Sequence, residues 1–371
     1  MMPTWSAPSE RWLWRMVDAL GGMLGGLACY DAPASVHHTA WGDVPVLDLG
    51  RRADPASVQR GVLAVRRFLE ADAGRVALVH YLPFAMRYGE AWAGLPNRIY
   101  VHAHGYDLTE DLRRPGPDGL PVRFHPPDYA RQVAQLAGRL NGGVLLANSH
   151  RSREKLLAMG VAPEKVMVKY LGVPVPPSPP SRRLRPGGMR LLFLGRLVDF
   201  KGPGETVRAF EIARERGLAA ELTLAGDGDR SLLPEPLPEA VRWLGAVSGE
   251  RGDVLRATHD VFVSHSQVGP VSRQEEALGV AYLEAMAAGM PVVSASGGSL
   301  AEVVEDGVSG LLVAPGDVEA EAERLIELSR DERLYRRLAE GAWAAVRERF
   351  SMEREARQLR ELLRSGLPGS G

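Results

Sequence analysis

The 371-residue chain contains one cysteine, Cys29. A single thiol excludes an internal disulfide framework and any thiolate-rich zinc site. Lysine is nearly as scarce. Only Lys155, Lys165, Lys169 and Lys201 occur, so 41 of the 45 basic residues are arginine. Neither sign of charge is in excess, with 45 basic residues against 46 acidic ones, which argues against a dedicated nucleic-acid binder. No run reaches the ~18 apolar residues that span a bilayer. The nearest, Met16 to Cys29, is interrupted by Asp18 and loosened by four glycines. Arg11 and Arg15 ahead of it give it a superficial likeness to a signal peptide, which Asp18 opposes. With 45% apolar and 25% charged residues, the composition is that of a soluble globular protein, long enough for two domains.

The first pattern met along the chain predicts a helix from about Ser9 to Leu20, with Ser9 or Glu10 at its start and Gly21-Gly22 at its end. Trp12, Leu13, Trp14, Met16, Val17 and Leu20 spread around its circumference. Such a helix is either packed on two sides or presents Trp12 and Trp14 to lipid, with Arg11 and Arg15 facing acidic head groups. The second choice would place a cytoplasmic protein in peripheral contact with the inner face of the membrane.

From Val44 onward short β-rich runs alternate with amphipathic stretches. Strands are predicted at 44–47, 76–80, 98–102, 144–147 and 166–170, with helices at 55–71, 128–140 and 149–159 between them. Residues 174–180 then carry five prolines, which exclude a helix or central strand and predict a semi-rigid connection. The rhythm restarts with strands at 189–194, 221–225, 241–244, 260–264, 291–294 and 310–313, and helices at 205–216, 280–288 and 300–304. The remainder, from Asp317 to about Arg364, is helical and laced with Arg and Glu. Two similar α/β domains joined by a proline hinge follow, with the ligand cleft expected between them, beyond the C-terminal strand ends.

Three stretches carry chemistry. In Leu191-Leu-Phe-Leu-Gly-Arg-Leu-Val-Asp-Phe-Lys-Gly202, a strand ends at Gly195, where a ligand can approach the backbone. Arg196 and Lys201 place two cations at its mouth, suited to a diphosphate. The retention of a lysine in an arginine-dominated chain matters here, since a compact ammonium does a different job from a planar fork. The second stretch is Gln274 to Pro291, where Gly279 or Val280 begins a helix that ends at Gly289. The amides of Leu278, Gly279 and Val280 would then be orphan donors at a positive helix end. Glu276 precedes that end, and Glu284 lies eight residues on; they are either sugar-hydroxyl partners or ordinary helix carboxylates. The third is Ile99-Tyr-Val-His-Ala-His-Gly-Tyr-Asp107, which sets His104-Gly105 in the loop after a strand. No metal signature accompanies it, there being no His-x3-His helix and no Asp-x-Asp pair beside a strand.

Together these segments resemble the retaining nucleotide-sugar glycosyltransferases of the group 1 type (family 4-like), whose architecture, GT-B, is two facing Rossmann-like domains with mostly parallel sheets. Gly195-Arg196 through Lys201-Gly202 matches the family's Gly-Arg…Lys-Gly phosphate loop, and Glu276 and Glu284 match its Glu-x7-Glu motif. Ala225-Gly-Asp-Gly228 resembles the loop bordering the nucleotide, and Ser149 to Gly172 the approach to the hinge. The resemblance implies an acceptor domain at 1–173, a hinge at 174–186, a donor domain at 187–349 and a segment 350–371 that crosses back. It implies that Gly195, Arg196 and Lys201, with the backbone at Leu278, Gly279 and Val280, hold the diphosphate of a UDP-, GDP- or ADP-sugar. Glu276 would contact the transferred sugar, Glu284 the ribose, and His104 the sugar near the reacting carbon, while Gly226, Asp227 and Gly228 border the nucleotide. A glycan, lipid-linked or small-molecule acceptor, with no metal and no cofactor, is the corresponding expectation.

Three departures stand out. Glu276-Ala-Leu-Gly279 replaces Glu-Gly-Phe-Gly, so the backbone at Ala277 must accept a β-carbon. Gly172-Val-Pro174 replaces Gly-Val-Asp. The family's first buried strand is very short or missing, which predicts either a start site chosen too far downstream or a truly shortened strand. Two other classes are weighed against the leading one. A dinucleotide-binding oxidoreductase would need Gly-x-Gly-x-x-Gly, and Gly226-Asp-Gly228 lacks the third glycine. A catalytically silent nucleotide-sugar-binding partner is opposed by the retention of His104, Arg196, Lys201, Glu276 and Glu284.

Overall fold

The computed structural model describes residues 1–3, 11–185 and 187–365, Arg11 by its backbone alone. The chain divides into two units, one of Met1–Glu110, His125–Tyr170 and Glu353–Gly371, the other of Asp111–Phe124 and Leu171–Met352. Each is a mixed α/β structure with mostly parallel strands.

In the first unit the strands Ala77–His80, Ile99–Ala103, Leu145–Ala147 and Val166–Val168 lie side by side and parallel. A second piece of sheet pairs Leu27–Cys29 in parallel with Gly42–Asp48, which also pairs antiparallel with Val36–Thr39. Met1 and Met2 connect the two pieces. The Met2 amide donates to the Ala28 carbonyl (3.0 Å), and the His80 amide donates to the Met1 carbonyl (3.0 Å). Burial lowers the pKa of the Met1 amine to about 5. Beside it lies a cavity of 530 Å³ lined by apolar side chains that include Leu13, Val17, Leu27, Phe68 and Leu78.

The first helix spans Arg11–Leu20 and turns Trp12, Leu13, Met16 and Val17 into the unit, leaving Asp18 exposed. Trp14 is half-buried beside His37, ring centroids 5.1 Å apart. The two-sided packing therefore holds, and the expected lipid contact through Trp12 does not, because its ring faces protein. Ser9 and Glu10, the expected start of this helix, lie outside the described residues. Among the described residues no helix is long and apolar enough to cross a membrane. The last helix, Met352–Ser365, brings Leu362 into a core with Tyr100, Val144 and Leu146. Its Glu355 makes a buried ion pair with Lys169.

The second unit contains a six-stranded parallel sheet in the spatial order 241–243, 220–225, 189–194, 261–266, 292–296, 310–313. Counted along the unit this is the doubly wound order 3-2-1-4-5-6, whose switch point falls between 189–194 and 261–266. Strands covered on both faces read as continuous apolar runs. Leu191, Leu192 and Phe193 are accordingly buried, as are Val261, Phe262 and Val263. The proline-rich segment is tied along this unit. The Arg182 guanidinium donates to the carbonyls of Arg256, His259 and Ala288, and Trp343 Nε1 donates to the Pro176 carbonyl. A hairpin of Arg113–Pro115 and Pro121–Arg123, from within the first half of the sequence, also belongs here through the Arg113 amide and the Ser272 carbonyl (3.0 Å).

Candidate active site

The Gly195 loop leaves the sheet of the second unit at its switch point. Its amide is held by the Ala225 carbonyl at 2.9 Å. A β-carbon at Gly226 would lie 1.9 Å from the Gly195 oxygen, and one at Gly228 would lie 2.3 Å from the Leu197 oxygen. Gly226-Asp-Gly228 is therefore packed flat against the 195–197 loop, with the Leu197 amide donating to the Asp227 carbonyl (2.7 Å). Glycine is required there for close backbone approach. Arg196 is exposed, and among the described residues it makes no ion pair, so its guanidinium is available to an anion.

Lys201 sits on the turn Asp199–Lys201 and extends past Gly195, whose missing side chain leaves room; a β-carbon there would lie 3.2 Å from the lysine Cδ. Its Nζ pairs with the Glu276 carboxylate, the two side chains only 15% and 12% exposed. Asp199 pins the neighbouring loop, accepting from the amides of Val271 (2.9 Å) and Ser272 (2.7 Å) and from the Ser272 hydroxyl (2.6 Å). Glu276 is fixed by its backbone, since its carbonyl accepts from the Ser299 amide and a β-carbon at Gly298 would meet it at 2.2 Å. Ala277 is not among the residues of positive φ, which is how it tolerates a β-carbon where the resembled family has glycine.

The helix Val280–Ala287 starts after Gly279, which is left-handed (φ 82°) and offers no side-chain cap. The amides of Val280 and Ala281 thus have no side-chain cap and carry the positive end of the helix dipole. Leu278 is buried. Glu284 is not a solvated helix residue. It pairs with Arg256 at 3.2 Å, and Arg256, 6% exposed, also reaches Asp253. Arg256 was not singled out in the sequence because it lies in a charged helix, Gly249–Thr258, with no distinguishing spacing.

In the first unit the loop after Ile99–Ala103 is organised by Asp107. Its buried carboxylate accepts from the amides of His104 (2.9 Å), Gly105 (2.8 Å) and Leu82 (3.0 Å). Burial pushes its pKa up, and these three amides pull the other way. His104 Nε2 lies 3.0 Å from His80 Nδ1, and its ring packs at a tilt against Trp12 and His102, centroids 4.2 Å and 4.3 Å away. Sequence spacing offered no metal ligands, yet His80, His102 and His104 each present a ring nitrogen within 4.8 Å of the others. His80 and His102 lie opposite each other on two strands paired in register, and His104 follows in the loop, a relation that linear distance does not reveal. Burial holds all three imidazoles well below their usual pKa.

Residues 178–344 match the family model described as glycosyl transferases group 1. The amylovoran biosynthesis glycosyltransferase AmsK of Erwinia amylovora is 32% identical over 248 residues, 64% of this chain and 59% of that protein. The putative colanic acid biosynthesis glycosyltransferase WcaL of Salmonella typhimurium is 30% identical over 245 residues, 64% of this chain and 60% of its own. The matches thus span about six tenths of the length of these relatives. Among solved structures, Anabaena HepE in complex with UDP and glucose superposes with a TM-score of 0.73 at 20% identity, covering 98% of each chain. A glycosyltransferase from Rickettsia africae gives 0.72 at 16% identity, covering 100% of this chain and 98% of its own. The fold is that of the GT-B glycosyltransferases.

Proposed function

We propose that this chain is a group 1 glycosyl transferase that moves a sugar from a nucleotide donor to an acceptor in the assembly of a bacterial polysaccharide. The observation that carries this reading is the pairing of Lys201 with Glu276 beside the free Arg196 and the uncapped helix start at Gly279. Cleaving a sugar–phosphate bond builds negative charge on the leaving diphosphate and positive character at the anomeric carbon. Two cations and a helix N-terminus stabilise the first without requiring a divalent ion. A bound diphosphate competes with Glu276 for the Lys201 ammonium and frees that carboxylate for the hydroxyls of the transferred sugar. Glu284, held by Arg256, serves the ribose hydroxyls.

Transfer with retention is the finer part of this reading. The departing phosphate takes the acceptor proton on the face it leaves, so no protein nucleophile is needed, and His104 steadies the sugar near the reacting carbon. UDP is the first nucleotide to test, since HepE was solved with UDP and glucose.

The test is a thermal-shift screen against UDP, GDP, ADP and their sugars, repeated in Lys201→Ala. One nucleotide is expected to raise Tm with the native chain. The variant is expected to lose about 1.5–3 kcal/mol of donor binding, the worth of a charge-assisted contact, and turnover with it. Unchanged donor affinity and rate in Lys201→Ala would remove the phosphate assignment.

A further inference from the structure

We propose that His80, His102 and His104 form a binding site for one divalent transition-metal ion of imidazole preference, zinc first, and that the ion, once bound, occupies His104. The three ring nitrogens are already gathered within 4.8 Å, and the His80 Nδ1–His104 Nε2 separation is 3.0 Å. Three nitrogens of a tetrahedral zinc site, each about 2.0–2.1 Å from the ion, stand about 3.3 Å apart, so small ring rotations close the set. The donor chemistry is that of zinc, copper or nickel, since three neutral imidazoles without thiolate or carboxylate suit none of the hard cations.

Burial argues for a ligand here. His102 is fully buried, and neither of its ring nitrogens has a hydrogen bond of normal length; the backbone of Lys169 is the polar group that still bears on it. His104 Nδ1 is likewise buried without a partner. Buried polar atoms left unsatisfied are uncommon and call for an explanation. Metal bound between His80 and His104 takes the place of their shared proton, which moves to the far nitrogen of its own ring, so no net proton is lost. His104 is the least buried of the three and marks the side of entry and of an open fourth position for water. The charge is not left without compensation, because the Asp107 carboxylate lies under the same loop, and the one lysine acting on the cluster, Lys169, is already neutralised by Glu355.

The chelator-treated full chain is titrated with Co²⁺, whose tetrahedral complexes absorb in the visible, and then with Zn²⁺. The expected result is one Co²⁺ per chain, displaced by Zn²⁺. His80→Gln and His102→Leu are each expected to weaken binding at least tenfold while leaving the nucleotide-induced thermal shift unchanged. His38→Asn, which removes the exposed His38–Asp43 pair, is expected to change nothing. Absence of stoichiometric binding overturns the site, as does binding insensitive to both cluster variants or lost in His38→Asn. The reaction assigned above to His104 is separable: an ion bound through the cluster with sugar transfer undiminished overturns that role and leaves the metal site standing.

Discussion

At the scale of single residues, what distinguishes this chain is how few groups carry the site and how fully their neighbours constrain them. Lys201 is one of four lysines, and it lies in the space that Gly195 leaves open. His104 owes its placement to Asp107, whose carboxylate gathers three backbone amides, so the imidazole projects from a loop with little freedom. His104→Ala is therefore expected to lower turnover by about 100-fold or more, the scale seen when one stabilising group is removed at a reacting centre. Donor affinity is expected to hold. Steady-state kinetics beside calorimetric nucleotide binding separates the two, and a loss confined to nucleotide binding would contradict the placement. The residue types and their order were legible in the sequence. The partners were not: Arg256 for Glu284, Glu276 for Lys201 and His80 for His104 are each supplied by a distant segment.

At the scale of elements, the second unit follows its sequence pattern closely. The strands Met189–Leu194 and Gly310–Val313 match their predicted bounds, and the helix predicted at 280–288 is observed at Val280–Ala287. Apolar runs bounded by glycine and proline leave a buried parallel sheet few alternatives. Less regular elements escaped. Val36–Thr39 has three polar residues of four, Leu82–Tyr88 is a short helix opened by a residue of positive φ, and Gly249–Thr258 is rich in charge. The helical tail consists of three helices, Val318–Arg330, Glu332–Arg349 and Met352–Ser365. Asp331 ends the first and caps the second through the amides of Arg333 and Leu334. The contact between the Gly226 turn and the Gly195 loop gives a prediction at this scale. Gly226→Ala forces a β-carbon towards the Gly195 oxygen at a backbone φ of 146°. It is expected to destabilise the chain by at least about 1–3 kcal/mol and to weaken donor binding by displacing Gly195. Denaturant midpoints and nucleotide affinity measured together check both effects.

At the scale of the whole molecule, the chain leaves its first unit at residue 170 and re-enters it at residue 353, and the buried pair Lys169–Glu355 helps fasten that return. Glu355→Ala would leave the Lys169 ammonium buried and unpaired, an expected loss of about 3–5 kcal/mol. Replacing both partners, Lys169→Met with Glu355→Leu, is expected to recover most of it, and thermal or denaturant unfolding of the three proteins decides. The double replacement faring as badly as the single one would show that the pair does not set this stability. The sequence by itself determined the class of fold, the sheet of the second unit and the glycines and charged residues of the loops at its strand ends. These depend on local periodicity, on glycine at close backbone approaches and on charge set at strand ends, all of which are written along the chain. Only the tertiary structure decided that Trp12 faces protein, that residues 111–124 join the second unit, and that three histidines from two strands and a loop meet at one point. Each of those depends on which distant segments pack together, and burial and strand register, unlike propensity, have no value until the chain is folded.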